Sequence, residues 1–321
     1  MSINIKVGTR GSRLALEQTD EFIRRFSGLF PDVNIMRSVV TTHGDKDTQG
    51  SLDSFGGKGV FTDELEDALN SKNINLAVHS AKDLPMELCD GNSILCVLPR
   101  ADPRDVLVVN KDTGEELSHI TIGTGSSRRI AQFHEILPEA NIIPIRGNVT
   151  TRYNKITRHE IDAAVLAAAG LDRLGLLKGM QYCDSSIAEF AASSMKNITT
   201  EDIDVYENDG KILVFFSADR IIPAGGQGII AVEGGEDYRT MLARINDQDT
   251  YKAFLAERYM LKLMNAGCSE PAGVYADVND GIIKMRVMKE NNGKIFKTMA
   301  FGNADYKVFC EKLFDANRKN L

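Results

Sequence analysis

The sequence predicts two α/β units followed by a small α+β domain. Three observations carry that expectation. Short β-rich runs alternate with helix-spaced apolar residues at the start of the chain, and the alternation restarts after a proline-marked crossing, PRADPRD. The chain then closes on three β-prone runs separated by Asn/Asp-Gly turns. Alternating strands and helices give a parallel sheet covered by helices, whereas hairpin-linked runs give an antiparallel one. At 321 residues the chain exceeds what one hydrophobic core usually serves.

IKVGT (5–9) reads as the first strand. Ala15, Thr19, Phe22, Phe26 and Leu29 then recur at the spacing of one helix face, which predicts a helix from about Leu14. KGVFTDELEDALNS (58–71) reads as a helix and INLAVHS (74–80) as a continuous apolar strand. In PRADPRD (99–105) the prolines disfavour helix at the residues before them and mark a crossing between domains. Beyond it TIGT (121–124) is a strand, followed by a helix through Arg128 to Leu137. IIPIR (142–146) and AAVLAA (163–168) are further strands, again joined by helical stretches. DVYENDGKILVFF has NDG between two β-prone runs, a hairpin signature. VYADV, IIKMRVM and IFKTMAF form the three last strands, with a closing helix from about Ala304 to Asn317.

A net charge of −7 argues against a general nucleic-acid binder, which needs a basic face to neutralise phosphates. Any anionic ligand must therefore be met by locally clustered arginines. No apolar run approaches the ~20 residues that cross a bilayer, and the opening MSINIKVGTRGSR lacks the layout of a secretory signal. A soluble cytoplasmic monomer is expected, with no membrane partner. Five cysteines (Cys89, Cys96, Cys183, Cys268, Cys310) without CxxC pairing indicate neither a disulfide framework nor a zinc site. With five histidines and no HExxH, no metal site is expected.

Three segments share one layout. In VGTRGSRLAL, IGTGSSRRIAQF and PIRGNVTTRYNKI a strand runs into Gly plus Ser, Thr or Asn, then arginine stands at or near a helix start. The small polar residues suit an N-cap. The helix dipole disfavours arginine there by a few tenths of a kcal/mol, so repeating Arg10, Arg13, Arg128, Arg129 and Arg152 points to function. Backbone N–H groups and a guanidinium fork aimed at one spot bind a carboxylate or phosphate, at the carboxyl ends of the strands. Against this stands the ordinary alternative, arginines that are solvated or paired with local acids. FGGKGVFT lacks the GK[ST] ending and GTGSSRR lacks GxGxxG, so neither is a nucleotide loop.

HSAKDLP (79–85) places Lys82 and Asp83 just beyond an apolar strand, facing the same crevice. Surrounding positive charge keeps such a carboxylate ionised, which suits stabilising a cation better than delivering a proton. A turn or cap aspartate is the alternative, and His79 is read as packed and hydrogen-bonded. NAGCSEPAGVY (265–275) holds a lone thiol, Cys268; on the residues alone it is a small buried hydrophobe.

TRGSRLALEQ, GGKGVFTDELEDAL, AVHSAKDLP, ADPRDV, GTGSSRR, IRGNVTTR, AAGLDRLG, PAGGQG and AGCSEPAG, in this order, closely resemble the porphobilinogen deaminase family, from roughly residue 3 to 275. The resemblance implies an enzyme of tetrapyrrole biosynthesis that joins four porphobilinogen molecules head to tail, releasing ammonia, and then frees hydroxymethylbilane. It implies a dipyrromethane cofactor held by a thioether to Cys268, and Asp83 as the catalytic carboxylate. Arg10, Ser12, Lys82, Ser126, Arg128, Arg129, Arg146, Arg152 and Arg173 fall on family positions that contact cofactor or substrate carboxylates. Lys58 and Gln227 lie in equally recognisable motifs, and Phe61 matches an aromatic near the substrate pyrrole.

The family fold has two domains resembling type II periplasmic binding proteins and a third that bears the cysteine. The implied division is residues 1–100 with 226–245, then 101–225, then 246–321, with two hinged lobes. This chain departs from the pattern at Gly125, where a serine is common, and at Glu270, an acid beside an anionic cofactor. It departs also at 180–221, longer than the family needs, where the hairpin is expected as an addition to the second domain. Two rivals remain: a non-catalytic two-lobed anion-binding protein, and an acyl-transfer enzyme using Cys268, whose nearest histidine in sequence is His159.

Overall fold

The computed structural model describes residues 4–41, 62–113, 117–267, 270–303 and 305–321. Its first sheet holds β1 (Asn4–Thr9), β2 (Asn34–Val39), β3 (Leu76–Ser80), β4 (Ser93–Val97) and β12 (Ile230–Gly234), in the order β2-β1-β3-β12-β4. β1 lies parallel to β2 and β3, and β12 runs antiparallel between β3 and β4. Helix α1 (Arg13–Leu29) follows β1. Its Phe22 and Phe26, one helix face, are buried on Ile5, Val7, Leu76 and Val78 of the sheet. Helix α2 (Asp63–Asn70) buries Leu65 and Leu69 nearby. The predicted start of that helix, residues 58–61, lies outside the described residues.

The second sheet repeats the plan. It contains β5 (Asp105–Asn110), β6 (Thr121–Gly123), β7 (Asn141–Ile143), β8 (Ala163–Ala167), β9 (Gln181–Tyr182), β10 (Ile203–Asn208) and β11 (Lys211–Phe216). The order is β7-β6-β8-β5-β11-β10-β9, and its first five positions match the first sheet one for one. Helices α3 (Ser127–Ile136), α4 (Val149–Thr157), α5 (Ala168–Arg173) and α6 (Ser185–Ser193) belong to this half. The run expected as a strand at 142–146 ends at Ile143, because Pro144 has no N–H to continue the ladder. β5 went unread in the sequence, although DVLVVN is buried throughout and sits at the sheet's centre.

The expected hairpin is present. Asn208 pairs with Lys211, leaving Asp209 (φ 48°) and Gly210 (φ 68°) as a two-residue turn of the kind that matches strand twist. β11 then pairs antiparallel with β5 and occupies the place that β4 has in the first sheet. The hairpin signature reports a local turn and is silent about which strand its far edge meets. Phe216 is fully buried and meets Phe133 edge-on at 5.4 Å. Phe216→Ala is expected to cost about 3–5 kcal/mol in urea unfolding; a loss below about 1 kcal/mol would mark β11 as peripheral.

Each sheet receives one strand from the far side of a crossing. Residues 98–104 lead from β4 to β5, and residues 217–229 return from β11 to β12. Helix α7 (Gln248–Leu263) then leads to β13 (Ala272–Asn279), β14 (Ile282–Asn291) and β15 (Lys294–Gly302), an antiparallel sheet closed by α8 (Tyr306–Asn317). The core of this part joins Ala253, Ala256 and Met260 of α7 to Val274, Ala276 and Met285.

One buried ion pair ties the three parts together. Glu257 on α7, fully buried, receives the Arg100 Nη1 and Nη2 donors at 2.7 and 3.1 Å. Its carboxylate also accepts the Gly226 and Ala276 backbone N–H groups, both at 2.7 Å. Arg100 belongs to the first crossing, Gly226 to the second and Ala276 to β13. No helix among the described residues is long and apolar enough to cross a membrane.

Candidate active site

The site lies where parallel strands end. After β1 come Arg10, Gly11 and Ser12; after β3, the turn Ala81–Asp83; after β6, Thr124 to Ser126; after β7, Arg146 to Asn148. The predicted N-caps all form. Ser12 Oγ accepts the Ala15 N–H at 3.3 Å, Ser126 Oγ the Arg129 N–H at 3.4 Å, and Asn148 Oδ1 the Thr151 N–H at 3.0 Å. A Cβ on Gly170 of α5 would touch Val149 of α4 and Leu14 of α1 at 3.5 and 3.6 Å, so the starts of α1 and α4 meet across α5.

Arg128 and Arg129 do not point into open solvent. They are 4% and 6% exposed and share one carboxylate, Asp105, which is fully buried. Arg128 Nη1 donates to Asp105 Oδ2 at 2.7 Å, and Arg129 Nη2 and Nε donate to Oδ1 at 2.7 and 3.1 Å. The local-acid alternative is thus met in an unforeseen form, since the acid lies more than twenty residues away in sequence. Burial alone would raise the Asp105 carboxyl, but the Arg128 and Arg129 charges outweigh it and hold it well below the usual carboxylate range.

Lys82 is part-exposed at its surface yet crowded on its inner side. Burial is the main cause that pushes it down to about 8; Asp83 and Asp105 oppose that shift, while Arg129 and Arg128 add to it. Arg152 is lowered to about 10, first by burial and then by Arg129 and Arg146, with Asp83 opposing. Lys82 thus stands in the field of Asp83, Asp105, Arg128 and Arg129, and Arg152 in that of Arg129, Asp83 and Arg146. Asp83 itself is exposed at the end of its turn.

Other predicted residues are placed differently. Arg173, at the end of α5, donates Nε to Glu21 at 3.1 Å and Nη2 to the Gly228 carbonyl at 3.2 Å, joining α1 to the second crossing. Gln227 is 1% exposed, and its amide nitrogen donates to the Pro103 carbonyl at 2.6 Å and Asp105 Oδ1 at 2.9 Å. Arg10 is half-buried at the end of β1. His79 is packed in the first half, its Nε2 2.9 Å from Glu233 Oε2. Cys268, Lys58 and Phe61 lie outside the described residues. Glu270 is exposed. Gly125 has the Ile145 carbonyl 3.2 Å from where a Cβ would stand, so a side chain there needs that carbonyl to give way.

Two glycines bring the parts into contact. A Cβ on Gly226 (φ 77°) would stand 2.8 Å from the Ala81 carbonyl carbon and 2.9 Å from the Lys82 nitrogen, so only glycine lets the second crossing lie against the Lys82 turn. A Cβ on Gly273 would stand 2.9 Å from the Ile222 carbonyl, so only glycine lets β13 reach that crossing. The residues that sequence reasoning missed are Asp105, Arg100 and Glu257. A repeated motif flags arginines, whereas these partners are single residues separated by 19 to 157 positions from the groups they hold.

The donor set suits a ligand with several carboxylates. Positive charge is in excess, and Arg128 Nε is buried without a partner, an orphaned donor that a carboxylate oxygen would satisfy. Among the described residues no group of three or more His, Cys, Asp or Glu is placed to hold a metal ion.

Fold and site together define an α/β protein built on two similarly ordered sheets, with basic side chains gathered at the ends of their parallel strands and a third, α+β part packed on both crossings. The chain belongs to the porphobilinogen deaminase family: residues 5–243 match the model of its dipyromethane cofactor binding domain and residues 251–305 that of its C-terminal domain. It is 36% identical over 303 residues to the porphobilinogen deaminase of Acetivibrio thermocellus, covering 94% of this chain and 93% of that one. It is 32% identical over 329 residues to that of Syntrophus aciditrophicus, covering 99% and 97%. Among solved structures, the periplasmic aliphatic sulphonate binding protein of Escherichia coli aligns with all of this chain and 89% of its own, at a TM-score of 0.38 and 12% identity. Dipyrromethane is the family's cofactor, and the excess of guanidinium and ammonium groups fits its carboxylates.

Proposed function

We propose that this protein joins four porphobilinogen molecules head to tail onto a dipyrromethane carried by Cys268, releasing ammonia at each addition, and then frees hydroxymethylbilane by hydrolysis. The observation that carries this reading is the pairing of Arg128 and Arg129 on one buried carboxylate, with Arg128 Nε left unsatisfied and Lys82 in the same field. Each substrate brings an acetate and a propionate, so a growing chain gathers negative charge that only such a cluster can hold. Bound dipyrromethane supplies the nucleophilic carbon to which the first substrate is joined.

The chain's own residues divide the work. Lys82, Ser126, Arg128, Arg129 and Arg146 hold cofactor carboxylates, while Arg10, Ser12, Phe61, Arg146, Arg152, Arg173 and Gln227 serve the substrate. For Arg173 and Gln227 that service is indirect, because both side chains are turned to protein acceptors. Asp83 stabilises positive charge at the pyrrole nitrogen of the substrate once ammonia has left, and assists the later deprotonation. Residues 1–100 with 226–245, then 101–225, then 246–321, are read as three domains, a division supported by β12 completing the first sheet. The cytoplasm is the proposed compartment and a monomer the proposed state; Cys89, Cys96, Cys183 and Cys310 are all free thiols, as a reducing compartment keeps them.

Intact-mass measurement tests this directly. The purified protein is expected to carry an adduct of two linked pyrrole units that Cys268→Ser abolishes, together with porphobilinogen consumption. Freshly made protein that shows an unmodified mass and consumes no porphobilinogen after reconstitution would overturn it in favour of a non-catalytic anion binder.

A further inference from the structure

We propose that Asp105 is a positioning residue of the condensation site: it holds the Arg128 and Arg129 guanidiniums at a fixed spacing and couples them to both inter-lobe crossings. This rests on the reading of those arginines as carboxylate-binding groups.

Both oxygens of Asp105 are engaged. Oδ2 receives Arg128, and Oδ1 receives Arg129 and the Gln227 amide. Each arginine is also fixed from a second side. Arg129 Nη1 donates to the Val165 carbonyl of β8, and Arg128 Nη1 to the Ile222 carbonyl of the second crossing, both at 2.7 Å. Asp105 is the first residue of β5 and so closes the first crossing, while Gln227 belongs to the second. The two crossings are joined again by Arg100 Nε, which donates to the Gln227 carbonyl at 2.8 Å. A shift of either crossing therefore moves the acceptor on which both guanidiniums rest.

Stability alone does not account for this arrangement. A fully buried carboxylate facing two nearly buried guanidiniums leaves uncompensated positive charge in the interior, and apolar side chains of similar volume are generally as stable or more so. A locally costly choice at a ligand site is where function is expected. The orphaned Arg128 Nε gives that function a direction, since Asp105 occupies Nη1 and leaves Nε for another acceptor. The same carboxylate is also one of the charges that sustain the Lys82 ammonium.

Asp105→Asn and Asp105→Glu, each prepared as holoenzyme and scored per cofactor-loaded molecule by intact mass, test the proposal. Asp105→Asn is expected to lower kcat about 100-fold, the scale of a misplaced binding group, and Asp105→Glu, which keeps the charge but displaces both guanidiniums by one methylene, to lower it about tenfold. Lys82 loses its proton as pH rises through about 8, so kcat/KM falls there. Removing the Asp105 charge lowers the Lys82 pKa further, so that alkaline limb is expected to move to lower pH in Asp105→Asn and not in Asp105→Glu. A merely structural residue would change thermal stability and leave kcat per loaded, folded molecule unchanged. A kcat within about threefold of the parent with an unmoved limb, or equal losses in both variants, would overturn the proposal. Should Asp105→Asn not fold, Asp105→Glu alone decides: a kcat loss of about tenfold or more at unchanged Tm supports it, and an unchanged kcat refutes it. Arg129→Gln, measured alongside, separates the two levels. Full activity there removes the carboxylate-binding reading and this proposal with it, whereas loss there with an intact Asp105→Asn removes only the positioning role.

Discussion

Asp83→Asn lowers kcat by about 100- to 1,000-fold per cofactor-loaded molecule, the scale of removing one preorganised electrostatic group from a reacting centre. Asparagine keeps the shape of the side chain and removes its charge, so the loss reports electrostatics rather than packing. Asp83 is exposed at the end of the Ala81–Asp83 turn, and it lies in the field of Lys82 and Arg152. Stability should therefore change little, while turnover collapses. KM for porphobilinogen is expected to move far less than kcat, because Arg10, Arg146 and Arg152, which receive the substrate's carboxylates, remain in place. Near-normal turnover, followed by ammonia release, would take Asp83 out of the mechanism.

Arg100→Met removes the partner of a fully buried carboxylate and is expected to cost about 3–5 kcal/mol. Glu257 would keep its two backbone donors, Gly226 and Ala276, but lose both guanidinium bonds and the opposite charge they bring. Arg100 also stacks over the Tyr275 ring at 4.7 Å, so β13 loses a second contact. The double variant Arg100→Met with Glu257→Gln should regain part of the loss, because neither charge is then buried alone. Denaturant unfolding, with hydrogen exchange on β13 and α7 to locate the weakening, reads the outcome. A single-variant cost below about 1 kcal/mol would show that the pair is no anchor of the third domain.

The features legible beforehand were those with a local cause. Ser12, Ser126 and Asn148 cap helices because their side chains reach an N–H three residues on, and the Asp209-Gly210 turn forms because those two residues tolerate positive φ. The arginines stood out because they recur at helix starts, where the dipole disfavours them. The Phe22 and Phe26 face was visible because its period is that of the helix it lies on.

What remained hidden was pairing between distant positions. That β11 completes the second sheet depends on β5 offering it an edge, and β5 is reached only after the first crossing. That Arg128 and Arg129 rest on Asp105, and that Glu257 gathers Arg100, Gly226 and Ala276, depends on charges brought together by both crossings at once. By itself the sequence determined the chain's helices, turns, caps and anion-seeking residues, since propensity and periodicity act over a few residues. Only the tertiary structure decided which carboxylate each guanidinium would face, because Coulomb energy depends on distance through space and on burial, and neither is written in sequence separation.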